Sequence, residues 1–143
     1  MHIIMITGGA GAGKTHLLQT IKAIGNVFLV DPLSVDVLSA KTWRQPPNDT
    51  VIVAFDHISK LKNAPAQIKE AIDWCSENHI ALCLCDQKRA DIEALVIDTA
   101  RSTVELNLDS AYTLKVNGNC TELGDQMLAA SCVIDLAAKG LSQ

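Results

Sequence analysis

Aromatic side chains are scarce in this chain, which has two Trp, two Phe and one Tyr among 143 residues. The core must then be built from Ile, Val, Leu and Ala, as in sheets buried on both faces. Long apolar runs are missing as well. None approaches the ~18 residues of a membrane span, and the apolar Ile3 to Ile6 stretch leads straight into glycines rather than a signal-peptide pattern. Positive charge is not in excess either. The formal net charge of −4 announces no protein-wide field for nucleic acid, although a local basic cluster would suffice. Five cysteines, at positions 75, 83, 85, 120 and 132, form no C-x-x-C pair and have no suitably spaced His. They are expected to be small buried hydrophobes rather than metal or redox groups. These absences point to a cytoplasmic globular chain, with residues 1–143 forming one domain.

Strand-length apolar runs recur along the chain at His2 to Thr7, Asn26 to Asp31, Thr50 to Asp56, Ile80 to Asp86 and Ser102 to Asp109. Helical patterns separate them. Lys14 to Ile24 places Leu17, Leu18, Ile21 and Ile24 on one stripe, with Gly25 as a stop. Asn63 to Asn78 carries Pro65 near its first turn and Ile68, Ala71, Ile72 and Cys75 on one face. Ala90 to Ala100 is a third helix, with Ile92, Leu95 and Val96. Leu33 to Ala40 reads as a short helix, and Lys41 to Asp49 as a loop. Strand alternating with helix predicts an α/β fold with a mainly parallel sheet. The tail reads differently: STVELNLD and AYTLKVNG flank Asp109-Ser110, Asn117-Gly118 suits a hairpin turn, and Leu123 to Lys139 reads as a final helix.

Glycine is dense in one place only. Gly8, Gly9, Gly11 and Gly13 fall directly before Lys14 and Thr15, although glycine is poor in both strands and helices. The run meets the pattern G-x-x-x-x-G-K-[ST], and it follows an apolar strand and opens an amphipathic helix. A loop without Cβ atoms can curl so that successive N–H groups point at phosphate oxygens, and a helix start adds further N–H groups and a positive dipole end. Gly8, Gly9, Ala10, Gly11, Ala12, Gly13, Lys14, Thr15 and His16 are therefore the expected nucleotide-binding residues. In this pattern Lys14 serves the β- and γ-phosphates, and Thr15 presents its hydroxyl to Mg²⁺. Asp56, closing an apolar strand, is placed as a Walker-B Asp would be, so Thr15 and Asp56 are the expected metal ligands.

The chain here resembles a family. VIVAFDHISKL resembles the Walker-B strand of RecA-like ATPase cores, LCLCDQKRADI their next strand with its terminal Gln, and VFLVDP their second strand. The likeness covers roughly residues 1–109 and extends to small DNA motors of the FtsK/HerA type. It implies a three-layer P-loop NTPase fold with a sheet of order 5-1-4-3-2, here followed by a C-terminal hairpin and helix. It also implies hydrolysis of ATP with Mg²⁺, with Gln87 close to the γ-phosphate and Lys14, Asp31, Asp56 and Gln87 as catalytic candidates. The motor type carries a Glu after the Walker-B Asp, where this chain has His57. The recombinase type carries one after the second strand, where this chain reads Asp31-Pro32. Asp31 is the nearer carboxylate for orienting water, and His57 the alternative.

In RecA-like proteins the loops leaving these strands contact DNA. Here they carry Lys60, Lys62, Lys88 and Arg89, enough for salt-sensitive binding to single- or double-stranded DNA. The expectation is therefore an oligomeric ATPase acting on nucleic acid, of a size that suits a phage or mobile element. Two alternatives stand beside it. One is a nucleotide-dependent binding module with little turnover. The other is a small nucleotide or metabolite kinase, which the three Arg residues and the lack of a lid-like insertion weigh against. No N-K-x-D motif follows a late strand, which favours adenine over guanine.

Overall fold

The computed structural model describes residues 2–9, 11–30, 46–61, 63–87, 89–99, 102–109, 112–116 and 119–141. The strands are β1 (His2–Thr7), β2 (Val27–Val30), β3 (Ile52–Asp56), β4 (Ala81–Cys85), β5 (Ser102–Asn107), β6 (Thr113–Val116) and β7 (Asn119–Glu122). The helices are α1 (Lys14–Ile24), α2 (Ala64–Glu77), α3 (Ala90–Thr99) and α4 (Gln126–Leu141), and a 3-10 turn covers Ile58–Lys60. The strands form one seven-stranded sheet of order β2-β3-β4-β1-β5-β6-β7. Pairs among the first five strands are parallel, and β5-β6-β7 are antiparallel.

This sheet differs from the five-stranded 5-1-4-3-2 arrangement that the resemblance implies. Two more strands extend it beyond β5, because Val104 to Asn107 pair along β6 and β6 pairs along β7. The expected terminal hairpin is thus part of the main sheet. Within the parallel part, reading from β5, the order is β5-β1-β4-β3-β2.

Alternation along each buried strand feeds two cores. Ile4 and Ile6 of β1 join Leu17, Leu18 and Ile21 of α1 and Ala130, Val133 and Ala137 of α4 on one face. Ile3, Val53, Phe55 and Leu84 pack on the other face against Ile68 and Ile72 of α2 and Ile92 and Val96 of α3. Every residue of β3 and β4 is buried, which is why those runs show no polar alternation. Three details depart from expectation. Ile24 ends α1 at 42% exposure rather than in the buried stripe. Cys120 is exposed on the edge strand β7 and Cys132 is only half-buried, whereas Cys75, Cys83 and Cys85 are buried as expected. The last helix begins at Gln126 rather than Leu123, because the Asp125 carboxylate accepts the Leu128 N–H at 2.8 Å and caps it there.

The expected helix at Leu33 to Ala40, most of the loop at Lys41 to Asp49, and the Asn117-Gly118 turn lie outside the described residues. No helix among the described residues is long and apolar enough to cross a membrane.

Candidate functional site

In open parallel sheets ligands bind beyond the carboxyl ends of the strands, where the strand order reverses. Here the chain leaves β1 for β2 at one edge and later crosses from β4 to β5 on the other side of β1. The glycine loop sits at that point, between β1 and α1. Gly11 has φ +79 and Gly13 φ +96, left-handed values that an L side chain rarely adopts. Gly13 bends the chain into α1, and its carbonyl accepts the first helical bond from the Leu17 N–H at 2.9 Å.

The helix start then sets Lys14 and Thr15. The Lys14 ammonium turns back to the loop and donates to the carbonyls of Gly8 at 2.9 Å and Gly9 at 2.7 Å. The Thr15 hydroxyl donates to Asp56 Oδ2 at 2.9 Å, joining residues 41 apart in sequence. Asp56 is only 3% exposed, at the end of β3. Its other carboxylate oxygen accepts the His57 N–H at 2.9 Å, and His57 Nδ1 stands 3.5 Å from Oδ2. His57 takes a left-handed conformation to make this corner, with φ 51 and ψ 46.

Asp86, just past β4, is a site residue that the sequence analysis did not single out. Its carboxylate accepts the N–H groups of Ser59 at 2.7 Å and Gln87 at 2.6 Å. Burial pushes this carboxyl up, but the bonds from Ser59 and Gln87 and the Lys14 charge outweigh it and hold it below the usual range. Its only sequence signal was an acid closing an apolar run, as Asp56 also does. Asp109 is a second such residue, and its carboxylate accepts the Gly9 N–H at 2.7 Å.

An open cleft of ≈ 430 Å³, within the usual size of a small-ligand site, lies among the loop, Asp56 and Asp86. Gly11, Gly13, Lys14, Thr15 and His16 of the loop and α1 line it together with Asp56, His57, Asp86 and Gln87. Gly8, Gly9 and Ala12 complete the loop behind it, with the Ala12 N–H donating to the Gly9 carbonyl at 3.2 Å. The predicted Lys14, Thr15, Asp56 and Gln87 therefore meet around one space. Ala10 and Asp31 lie outside the described residues, as do Lys62 and Lys88. Of the proposed cationic contacts, Lys60 ends the 3-10 turn after β3, and Arg89 pairs with Asp91 at 2.7 Å.

The Thr15 and Asp56 oxygens are hard donors of the kind Mg²⁺ takes when phosphates supply its remaining ligands. Among the described residues, no group of three or more His, Cys, Asp or Glu is placed to hold a metal by protein ligands alone.

No protein-family model matches this chain. No curated protein matches it either. Among solved structures, the chain is similar to a protein of Neisseria meningitidis determined in solution, at 22% identity and a TM-score of 0.42. That match covers 68% of this chain and 71% of the other. A second similarity is to an unliganded sugar kinase from Janibacter, at 14% identity and a TM-score of 0.45, covering 76% of this chain and 59% of the kinase. At these scores neither likeness carries an inference about activity.

Proposed function

We propose that the chain binds Mg·ATP in this cleft and hydrolyses it, as a RecA-like P-loop ATPase that works on nucleic acid as an oligomer. The observation that carries the proposal is the 2.9 Å contact between the Thr15 hydroxyl and Asp56. A glycine loop alone could be a turn. A loop whose threonine meets a buried strand-end carboxylate is arranged to hold a phosphate-bound cation. The order β5-β1-β4-β3-β2 within the sheet supports the RecA-like form of the proposal.

In this mechanism the backbone N–H groups at the start of α1 receive the β-phosphate. Lys14 exchanges the Gly8 and Gly9 carbonyls for phosphate oxygens, so its charge is already at hand when the ligand arrives. Thr15 and Asp56 would hold Mg²⁺, which when bound offsets charge building on the phosphates. Gln87, which lines the same cleft, is the residue proposed to contact the γ-phosphate. His57 and Asp31 remain the candidates for orienting the attacking water. Turnover of Asp31→Asn and His57→Ala separates them: the water-orienting residue loses rate when changed, and unchanged rates in both reject the pair.

Lys60, at the end of the 3-10 turn after β3, supports contact with nucleic acid. The Arg89 guanidinium, in contrast, is engaged by both Asp91 oxygens and would have to leave them to meet a phosphate. The experiment is ATP turnover with and without single- and double-stranded DNA at two salt concentrations. Stimulation that fades with salt is the expected result. Turnover indifferent to DNA at both concentrations removes the nucleic-acid part and leaves the nucleotide site standing.

A further inference from the structure

We infer that Asp109 is a charge-selecting residue: it holds the first turn of the glycine loop and disfavours a triphosphate that arrives without magnesium. The inference rests on the nucleotide site proposed above and deepens it. β5 runs beside β1 in register to Thr7↔Asn107, and the Leu108 N–H continues the pairing by donating to the Thr7 carbonyl at 2.9 Å. Two residues past the last paired rung, Asp109 Oδ1 accepts the Gly9 N–H at 2.7 Å. The acid is fixed from its own side, because its N–H donates to Asn107 Oδ1 at 2.8 Å. A Cβ on Gly9 would lie 3.4 Å from that carboxylate oxygen, an ordinary van der Waals contact.

The same glycine is thus held at both ends, its N–H by a carboxylate and its carbonyl by the Lys14 ammonium. A carboxylate is a costly neighbour for a loop that receives anions. The carboxylates of Asp56 and Asp86 line the cleft with the Lys14 ammonium, Asp109 meets the loop at Gly9, and Glu105 accepts from the Thr7 hydroxyl just before it. Asp56 would be offset by the cation it helps to hold. Asp109 lies on the β5 side of β1, away from β3 and Asp56, so it acts through its field rather than as a ligand. A triphosphate without magnesium carries more negative charge and meets that field more strongly than Mg·ATP does.

The test is calorimetric titration of wild type, Asp109→Asn and Asp109→Ala with Mg·ATP, and with ATP in EDTA, beside amide exchange at Gly9. Both substitutions should tighten metal-free ATP more than Mg·ATP, narrowing the preference roughly threefold at low salt and less at high salt. Asp109→Ala should also expose the Gly9 amide to exchange, whereas the Asn variant keeps an acceptor there. An unchanged preference in both variants, with Mg·ATP still bound, overturns the role of Asp109 alone. A Gly9 amide indifferent to Asp109→Ala overturns its hold on the loop. If neither wild type nor Asp109→Asn takes up Mg·ATP, the nucleotide site itself is refuted and this role with it.

Discussion

Lys14 makes two short bonds to its own loop, so a ligand must offer it better acceptors than the carbonyls of Gly8 and Gly9. Phosphate oxygens do, because they carry a full negative charge where the carbonyls offer only a dipole, which adds Coulombic attraction to the hydrogen bond. Lys14→Ala should therefore weaken Mg·ATP by about 10- to 100-fold, the range of a lost charged hydrogen bond, read by calorimetry. The cysteines make a separate prediction at this scale. Burial pushes the Cys75 thiol up to about 12, and burial with the nearby Asp56 charge does the same for Cys83. Burial raises Cys85 further still, with Cys83 and Asp56 adding to it. A thiol reagent at neutral pH should label Cys120 first, and reach these three only on unfolding. Prompt labelling of all five in the native protein would contradict the packing of β4. Lys14 and Thr15 were legible in the sequence because their motif has fixed spacing. Asp86 and Asp109 were not, since an acid at a strand end is usually a solvated cap, and their partners, Ser59 and Gly9, lie far along the chain.

The start of α1 depends on Gly13, whose left-handed conformation turns the loop into the helix. Gly13→Ala has room for its methyl group but must bear that backbone, at a cost of about 1–2 kcal/mol. It should lower Tm and weaken nucleotide uptake together, because the same peptide geometry serves both. Asp86 ties the end of β4 to the 3-10 turn after β3 through Ser59, and gives a pH dependence with a definite sign. Its native carboxyl lies below the ordinary value of 3.8, so the native state holds that proton less tightly than the unfolded chain. Its contribution is fully present above 3.8 and is lost as pH falls through the lower native value. Asp86→Asn should lower Tm slightly at neutral pH, and the difference from wild type should vanish in acid. The effect stays small because the carboxylate is only partly buried, so solvent still screens it. A gap in Tm that persists in acid would contradict this tie. Most helix bounds were legible from apolar spacing, and α1 matches its expected Lys14–Ile24 span. The start of α4 was misjudged because Leu123 fits the apolar pattern, while the Asp125 cap decides where the backbone turns helical.

Across the whole molecule, the alternation of strand and helix was enough to predict an α/β fold with a mainly parallel sheet. The buried runs of β3 and β4 and the stripes of α1, α2 and α3 carried that information. How the hairpin joins the sheet was not legible. Nothing local in TLKV or NCTE says whether they pair with β5 or fold away from it, and β7 is exposed throughout. The pairing of Leu106 with Leu114 in the α1 and α4 core decides it, and that contact exists only in the assembled fold. The same assembly brings β1, β3 and β4 to a common end, where Thr15 and Asp56 meet. The most direct measurement is calorimetric titration of Mg·ATP into wild type, Thr15→Ala, Asp56→Asn and the double variant. The account predicts saturable binding by wild type, weakened by each substitution, with the double variant losing less than the sum of the two. Absence of uptake by wild type, or uptake indifferent to both substitutions, would contradict it.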